Sequence, residues 1–87
     1  LCNNNITDQG IKNLTNLTFL NLSSNHEITN EGIKNLTNLT TLNLNQNKNM
    51  NFTVEGIFHL TNLTSLCALK FKKKDIGHLT NIRTFNK

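Results

Sequence analysis

The 87-residue sequence contains no Trp, Tyr or Pro, only two Cys and one Met, and only five acidic residues. With Phe as the sole aromatic type, the hydrophobic third of the chain must be built chiefly from Leu. Cys2 and Cys67 lie far apart and match neither a CxxC pair nor a Cys/His ligand spacing, so the common zinc patterns are excluded and the redox compartment is left open. No run is long and apolar enough for a membrane span, and no targeting segment is visible. The chain opens in mid-pattern at Leu1-Cys2-Asn3, as its repeats show, and is expected to be a fragment, so localisation and oligomeric state stay open. There is no nucleophile–base pair, glycine-rich phosphate loop or paired-carboxylate arrangement, and we therefore expect no catalytic residues, no metal and no cofactor.

The formal charge is +4, but most of the excess sits in Lys70, Lys72, Lys73 and Lys74. The rest of the chain is nearly neutral. A pull toward nucleic acid is not expected, and the lysines read as a local, solvated basic patch. The length allows one small domain at most.

What the chain does have is Leu and Asn, and both are periodic. IKNLTNLTFLNLSSN from Ile11 and IKNLTNLTTLNLNQN from Ile33 agree at almost every position at an offset of 22. A third copy, IFHLTNLTSLCALKF, follows from Ile57 at an offset of 24, and a fourth, IGHLTNIRTFNK, from Ile76 at 19. The opening LCNNNITDQG reads as the tail of a further copy, with Leu1, Asn4 and Ile6 in its pattern slots. The expected division is a partial repeat at 1–10, repeats at about 11–32, 33–56 and 57–75, and a partial repeat at 76–87.

In FLNLS and TLNLN apolar and polar residues alternate, the period of a strand with one face buried. Leu20 and Leu22 are expected to point inward, and Phe19, Asn21 and Ser23 outward. Each copy can bury its leucines only against the next, so the strands should stack in parallel into one concave sheet. Asn4, Asn25 and Asn47 follow the strands, where a side-chain amide satisfies neighbouring backbone groups in a ladder. Thr7 and Thr29 are expected N-caps of short segments returning on the convex side, with room for about two helical turns or a 3-10 stretch. The third copy departs from this rule: Phe71 stands in the Asn slot and the following connection is about three residues short, so a kink, an irregular turn or a decaying copy is expected there.

The pattern LxxLxxLxLxxNxI resembles that of the leucine-rich repeat over essentially the whole chain. The phrase KNLTNLTxLNLxxN is similar to repeats of internalin-type bacterial surface proteins, with Gly10-Ile11 and Gly32-Ile33 where internalin repeats usually carry Pro-Leu. ITDQGI and ITNEGI are similar to repeats of F-box-associated and bacterial effector proteins. The resemblance implies an α/β solenoid, or horseshoe, with a parallel concave sheet and short helical or 3-10 convex segments. It also implies a non-catalytic module that binds a protein partner through Phe19, Asn21, Ser23, Thr41, Asn43, Asn45, Ser65 and Cys67. Phe19 is the best anchor, an exposed aromatic on a polar face. Three further roles are open: a substrate-recognition segment of a ubiquitin-ligase-type or effector protein, a cell-surface adhesion repeat, and a non-functional repeat remnant.

Two side features follow from the register. His59 and His78 occupy the same slot and should be neighbours, roughly 5 Å apart at the strand spacing. With no third ligand in that column they read as solvated histidines. N-x-S/T sequons at Asn5, Asn13, Asn16, Asn21, Asn35, Asn38, Asn51 and Asn62 arise automatically from copying NLTNLT.

Overall fold

The computed structural model describes residues 7–23, 25, 27–44, 53–69 and 71–86. Three copies each begin with one helical turn: α1 (Asp8–Ile11), α2 (Asn30–Ile33) and α3 (Val54–Ile57). Thr7 and Thr29 cap the first two through their hydroxyls, which accept from the Gly10 N–H at 3.3 Å and the Glu31 N–H at 3.2 Å. Acidic residues in the first turn (Asp8, Glu31 and Glu55) suit the positive end of each helix. Four residues are far too few for a helix to hold itself together, so these turns owe their existence to packing.

The chain then advances by three-residue turns. In the second copy the Leu36 N–H donates to the Ile33 carbonyl and the Leu39 N–H to the Leu36 carbonyl, at 3.0 and 3.1 Å. Leu60 and Leu63 repeat this on Ile57 and Leu60, and Leu79 and Ile82 on Ile76 and Leu79. A turn of three residues eclipses positions i and i+3, which is why apolar residues at that spacing all face one way. Ile33, Leu36, Leu39, Ile57, Leu60 and Leu63 are at most 1% exposed.

After the last such turn the period changes from three to two. Strands β1 (Phe19–Asn21), β2 (Thr41–Asn43), β3 (Ser65–Cys67) and β4 (Thr84–Phe85) form one all-parallel sheet in the order β1-β2-β3-β4. Register pairs Leu20 with Leu42, Leu42 with Leu66, and Leu66 with Phe85. Leu20, Leu42 and Leu66 are fully buried beneath the sheet, and each such side chain contributes roughly 1.5–3 kcal/mol of hydrophobic stabilisation. The protein is thus α/β, a four-stranded parallel sheet with short helices.

Two cross-copy contacts pin the helical turns to one another. Both oxygens of the Asp8 carboxylate accept from Thr29, one from its N–H at 2.9 Å and one from its hydroxyl at 2.6 Å. One copy later Asn30 does the same for Thr53: its Oδ1 accepts from the Thr53 N–H at 3.1 Å and its Nδ2 donates to the Thr53 hydroxyl at 2.7 Å. The glycines of the next helical turn make room for these side chains. A Cβ on Gly32 would collide with the Asp8 carboxylate, and one on Gly56 with the Asn30 amide.

The irregular third copy keeps the stack in register. Phe71 lies at the position of Asn25, its N–H donating to the Ala68 carbonyl at 2.9 Å as that of Asn25 does to Leu22 at 3.0 Å. Its ring is buried where an amide was expected. The short connection is a 3-10 helix, Lys73–Ile76, and Asp75 satisfies its start by accepting from the Lys72 N–H at 2.9 Å. The irregularity is therefore a tightened turn, with β3 and β4 paired on its far side.

Candidate interaction surface

The register brings the expected surface residues together in columns. Phe19, Thr41, Ser65 and Thr84 lie side by side across the sheet, and so do Asn21, Asn43 and Cys67. Phe19 is 49% exposed, the most accessible side chain of the group, whereas Asn21, Ser23, Thr41, Asn43, Ser65 and Cys67 are half-buried. Cys67, expected on an exposed position, is therefore partly covered. No residue in these columns carries a charge.

Local bonds decide how much of each side chain is available. The Asn21 Oδ1 accepts from the Ser23 N–H at 2.9 Å and also from the Ser23 hydroxyl, so Asn21 is turned along its own strand end. Asn86 adopts a left-handed backbone with φ of 58°, a conformation Asn tolerates, and its Oδ1 accepts from the Ala68 N–H at 2.6 Å. That bond replaces the backbone carbonyl which serves the same slot in earlier copies, where Leu22 donates to Asn43 and Leu44 to Cys67.

Asn25 is fully buried, and its Oδ1 accepts from the N–H groups of Glu27 and Ile28, both at 2.8 Å. It closes the bend after β1 by satisfying two donors that the turn removes from water. Asn4, Asn47 and the surface candidate Asn45 lie outside the described residues, as does Lys70.

A second surface was not foreseen. In the LTN phrases after the first, the Asn donates to a carbonyl of the copy before: Asn38 to Thr15 at 2.8 Å, Asn62 to Thr37 at 2.9 Å, and Asn81 to Thr61 at 2.9 Å. Beside this column run Thr18, Thr40 and Thr64, with the Thr40 hydroxyl donating to the Thr18 carbonyl at 3.1 Å and the Thr64 hydroxyl to Thr40 at 3.2 Å. Together they line an open trough of about 480 Å3 beside the start of the strands. Its signal in the sequence was the recurrence of Asn-Leu-Thr at one slot of three copies, which read as a copied sequon.

The two histidines meet through a third ring. Phe58, half exposed, stacks on His78 at 4.4 Å between centroids and meets His59 edge-on at 5.3 Å. Among the described residues no three His, Cys, Asp or Glu side chains cluster in a way that would hold a metal ion, and no helix is long and apolar enough to cross a membrane. Lys72, Lys73 and Lys74 are exposed at the start of the 3-10 turn. No family model matches the chain, and neither does any curated protein or solved structure.

Proposed function

We propose that the chain is a segment of leucine-rich repeats, stacked as successive turns of a solenoid, and that it binds a protein partner through the outward face of its sheet without catalysing a reaction. The observation that carries this reading is the in-register alignment of copies spaced 22, 24 and 19 residues apart in sequence. Despite the unequal spacing, the variable strand positions line up while the positions beneath them stay apolar: Leu20, Leu42, Leu66 and Phe85. The frame is uniform and its exposed columns differ from copy to copy, the arrangement by which a repeat array specifies a ligand. On this reading 11–32, 33–56 and 57–75 are full repeats, and 1–10 and 76–87 are parts of two more.

Phe19 is the anchor. A half-exposed aromatic ring on an uncharged polar face gains free energy when a partner covers it, and its neighbours supply hydrogen bonds and exclude water. Phe19→Ala is expected to weaken partner capture by ~2 kcal/mol or more, and Asn43→Arg to abolish it by placing a charge in the face. Both variants should keep the circular dichroism of the parent chain. The check is quantitative affinity capture from a matched proteome, comparing both variants with the parent. Retention of the same partner set by all three would overturn the proposal.

A further inference from the structure

We infer that the asparagine–threonine trough is a second binding site, and that it takes a neutral polysaccharide. The site is distinct from the sheet face and does not depend on it. It stands on the hydrogen-bond chemistry of the trough, its charge and its repeat distance.

The donors of the trough are largely spent within the protein. Asn38, Asn62 and Asn81 each use one amide hydrogen on a carbonyl of the preceding copy, and the Thr40 and Thr64 hydroxyls give their only hydrogen to Thr18 and Thr40. An amide then has its oxygen and one hydrogen to offer, and a donating hydroxyl has two lone pairs. The surface is thus rich in fixed acceptors with a donor at each step, the complement of a molecule whose hydroxyls both donate and accept.

Charge narrows the choice. Among the described residues that line the trough, Arg83, at one end, is the only charged one. A cationic ligand would meet that guanidinium and a chain of net charge +4, and an anionic one would find stronger partners at Lys72 to Lys74. An apolar ligand would gain little, because the exposed large apolar side chains among the described residues, Leu14, Phe19, Phe58 and Leu69, do not line it. The remaining class is a neutral polyol. The volume of about 480 Å3 falls within the range of small-ligand sites, roughly 300–1,000 Å3. The trough is open and its groups recur at the strand spacing of about 4.8 Å, so it favours an extended ligand with a repeating unit over a single compact sugar.

The test is a nuclear magnetic resonance titration of the 87-residue chain with cellohexaose and, separately, maltohexaose as neutral probes, and oligogalacturonate as an anionic one. The expected result is a saturable shift of the side-chain amide signals of Asn38, Asn62 and Asn81 with a neutral probe. The Thr40→Val/Thr64→Val variant should bind about tenfold more weakly. Its fold should survive, because Thr18 and Thr40 carbonyls also accept from backbone N–H groups. Phe19→Ala should bind the sugar as the parent does, which separates this site from the sheet face. The inference is overturned if neither neutral hexasaccharide gives a saturable shift, if the shifts centre on Phe19 or on Lys72 to Lys74, or if only oligogalacturonate binds. Should the double valine variant unfold, the shift map on the parent chain decides alone.

Discussion

Replacing each helical glycine by alanine separates the cross-copy packing from intrinsic helix preference. An alanine in a helix is ordinarily more stable than glycine by about 0.5–1 kcal/mol, because glycine loses more backbone freedom on folding. At Gly10 that gain should appear in full: an added Cβ meets nothing closer than the Thr7 hydroxyl at 3.6 Å, an ordinary contact. At Gly32 the same methyl would occupy the space of the Asp8 carboxylate and come within 3.2 Å of the Asp8 Cα. The carboxylate must then rotate away and give up its bonds to Thr29 at 2.9 and 2.6 Å. Hydrogen bonds to a charged group are worth about 1.5–3 kcal/mol each, and the lower end applies to a half-exposed pair, so losing both against the helix gain should leave Gly32→Ala a net ~2–2.5 kcal/mol less stable. Gly56→Ala displaces the neutral Asn30 amide from Thr53, and two exposed bonds of about 0.5–1 kcal/mol each leave a net loss of ~0.5–1 kcal/mol. The order of urea midpoints should be Gly10→Ala, parent, Gly56→Ala, Gly32→Ala, at constant m-value. The sharpest control is the Asp8→Ala background, in which Gly32→Ala should cost clearly less than in the parent, because the carboxylate and its bonds are gone and only the 3.2 Å approach to the Cα of residue 8 remains. A Gly32→Ala that is as stable as the parent, or equally harmful with and without Asp8, would falsify the reasoning.

Three other perturbations address the bends after the strands. Asn25→Ala takes the Oδ1 acceptor from the part-buried Glu27 N–H and the buried Ile28 N–H and should cost ~1.5–3 kcal/mol, with faster hydrogen exchange at those two amides. Phe71→Asn restores the residue that the repeat pattern calls for, yet should destabilise by ~3 kcal/mol or more, since a ring only 5% exposed is lost and no bond demands the amide. A rise in thermal midpoint for that variant would show that the third copy does tolerate the standard bend. Asp75→Ala removes the acceptor of the Lys72 N–H and should cost ~0.5–2 kcal/mol, read as a shift in urea midpoint.

What could be read from the sequence was whatever repeats along the chain itself. The period-two alternation in FLNLS and TLNLN placed Leu20 and Leu42 under the sheet, and an offset of 24 for the third copy placed Ser65 beside Thr41. Thr7 and Thr29 were recognisable as caps because a cap bonds within three residues of itself. The bonds of Asp8 to Thr29 and of Asn38 to Thr15 join residues 21 and 23 positions apart, and nothing local in an exposed polar segment distinguishes them from solvated loop residues. Their trace lay in pairs of slots rather than single ones. Thr-Asp-Gln-Gly and Thr-Asn-Glu-Gly keep a short acceptor in one copy whenever the next has a glycine to admit it. The third copy changes both members of the pair: Val54 follows Thr53, offering no short acceptor, and the slot that Gly32 and Gly56 hold before Ile33 and Ile57 is held by Asp75 before Ile76. There the start of the connection is satisfied from within, by Asp75, which is why the shortest turn of the chain can close without its neighbour's help.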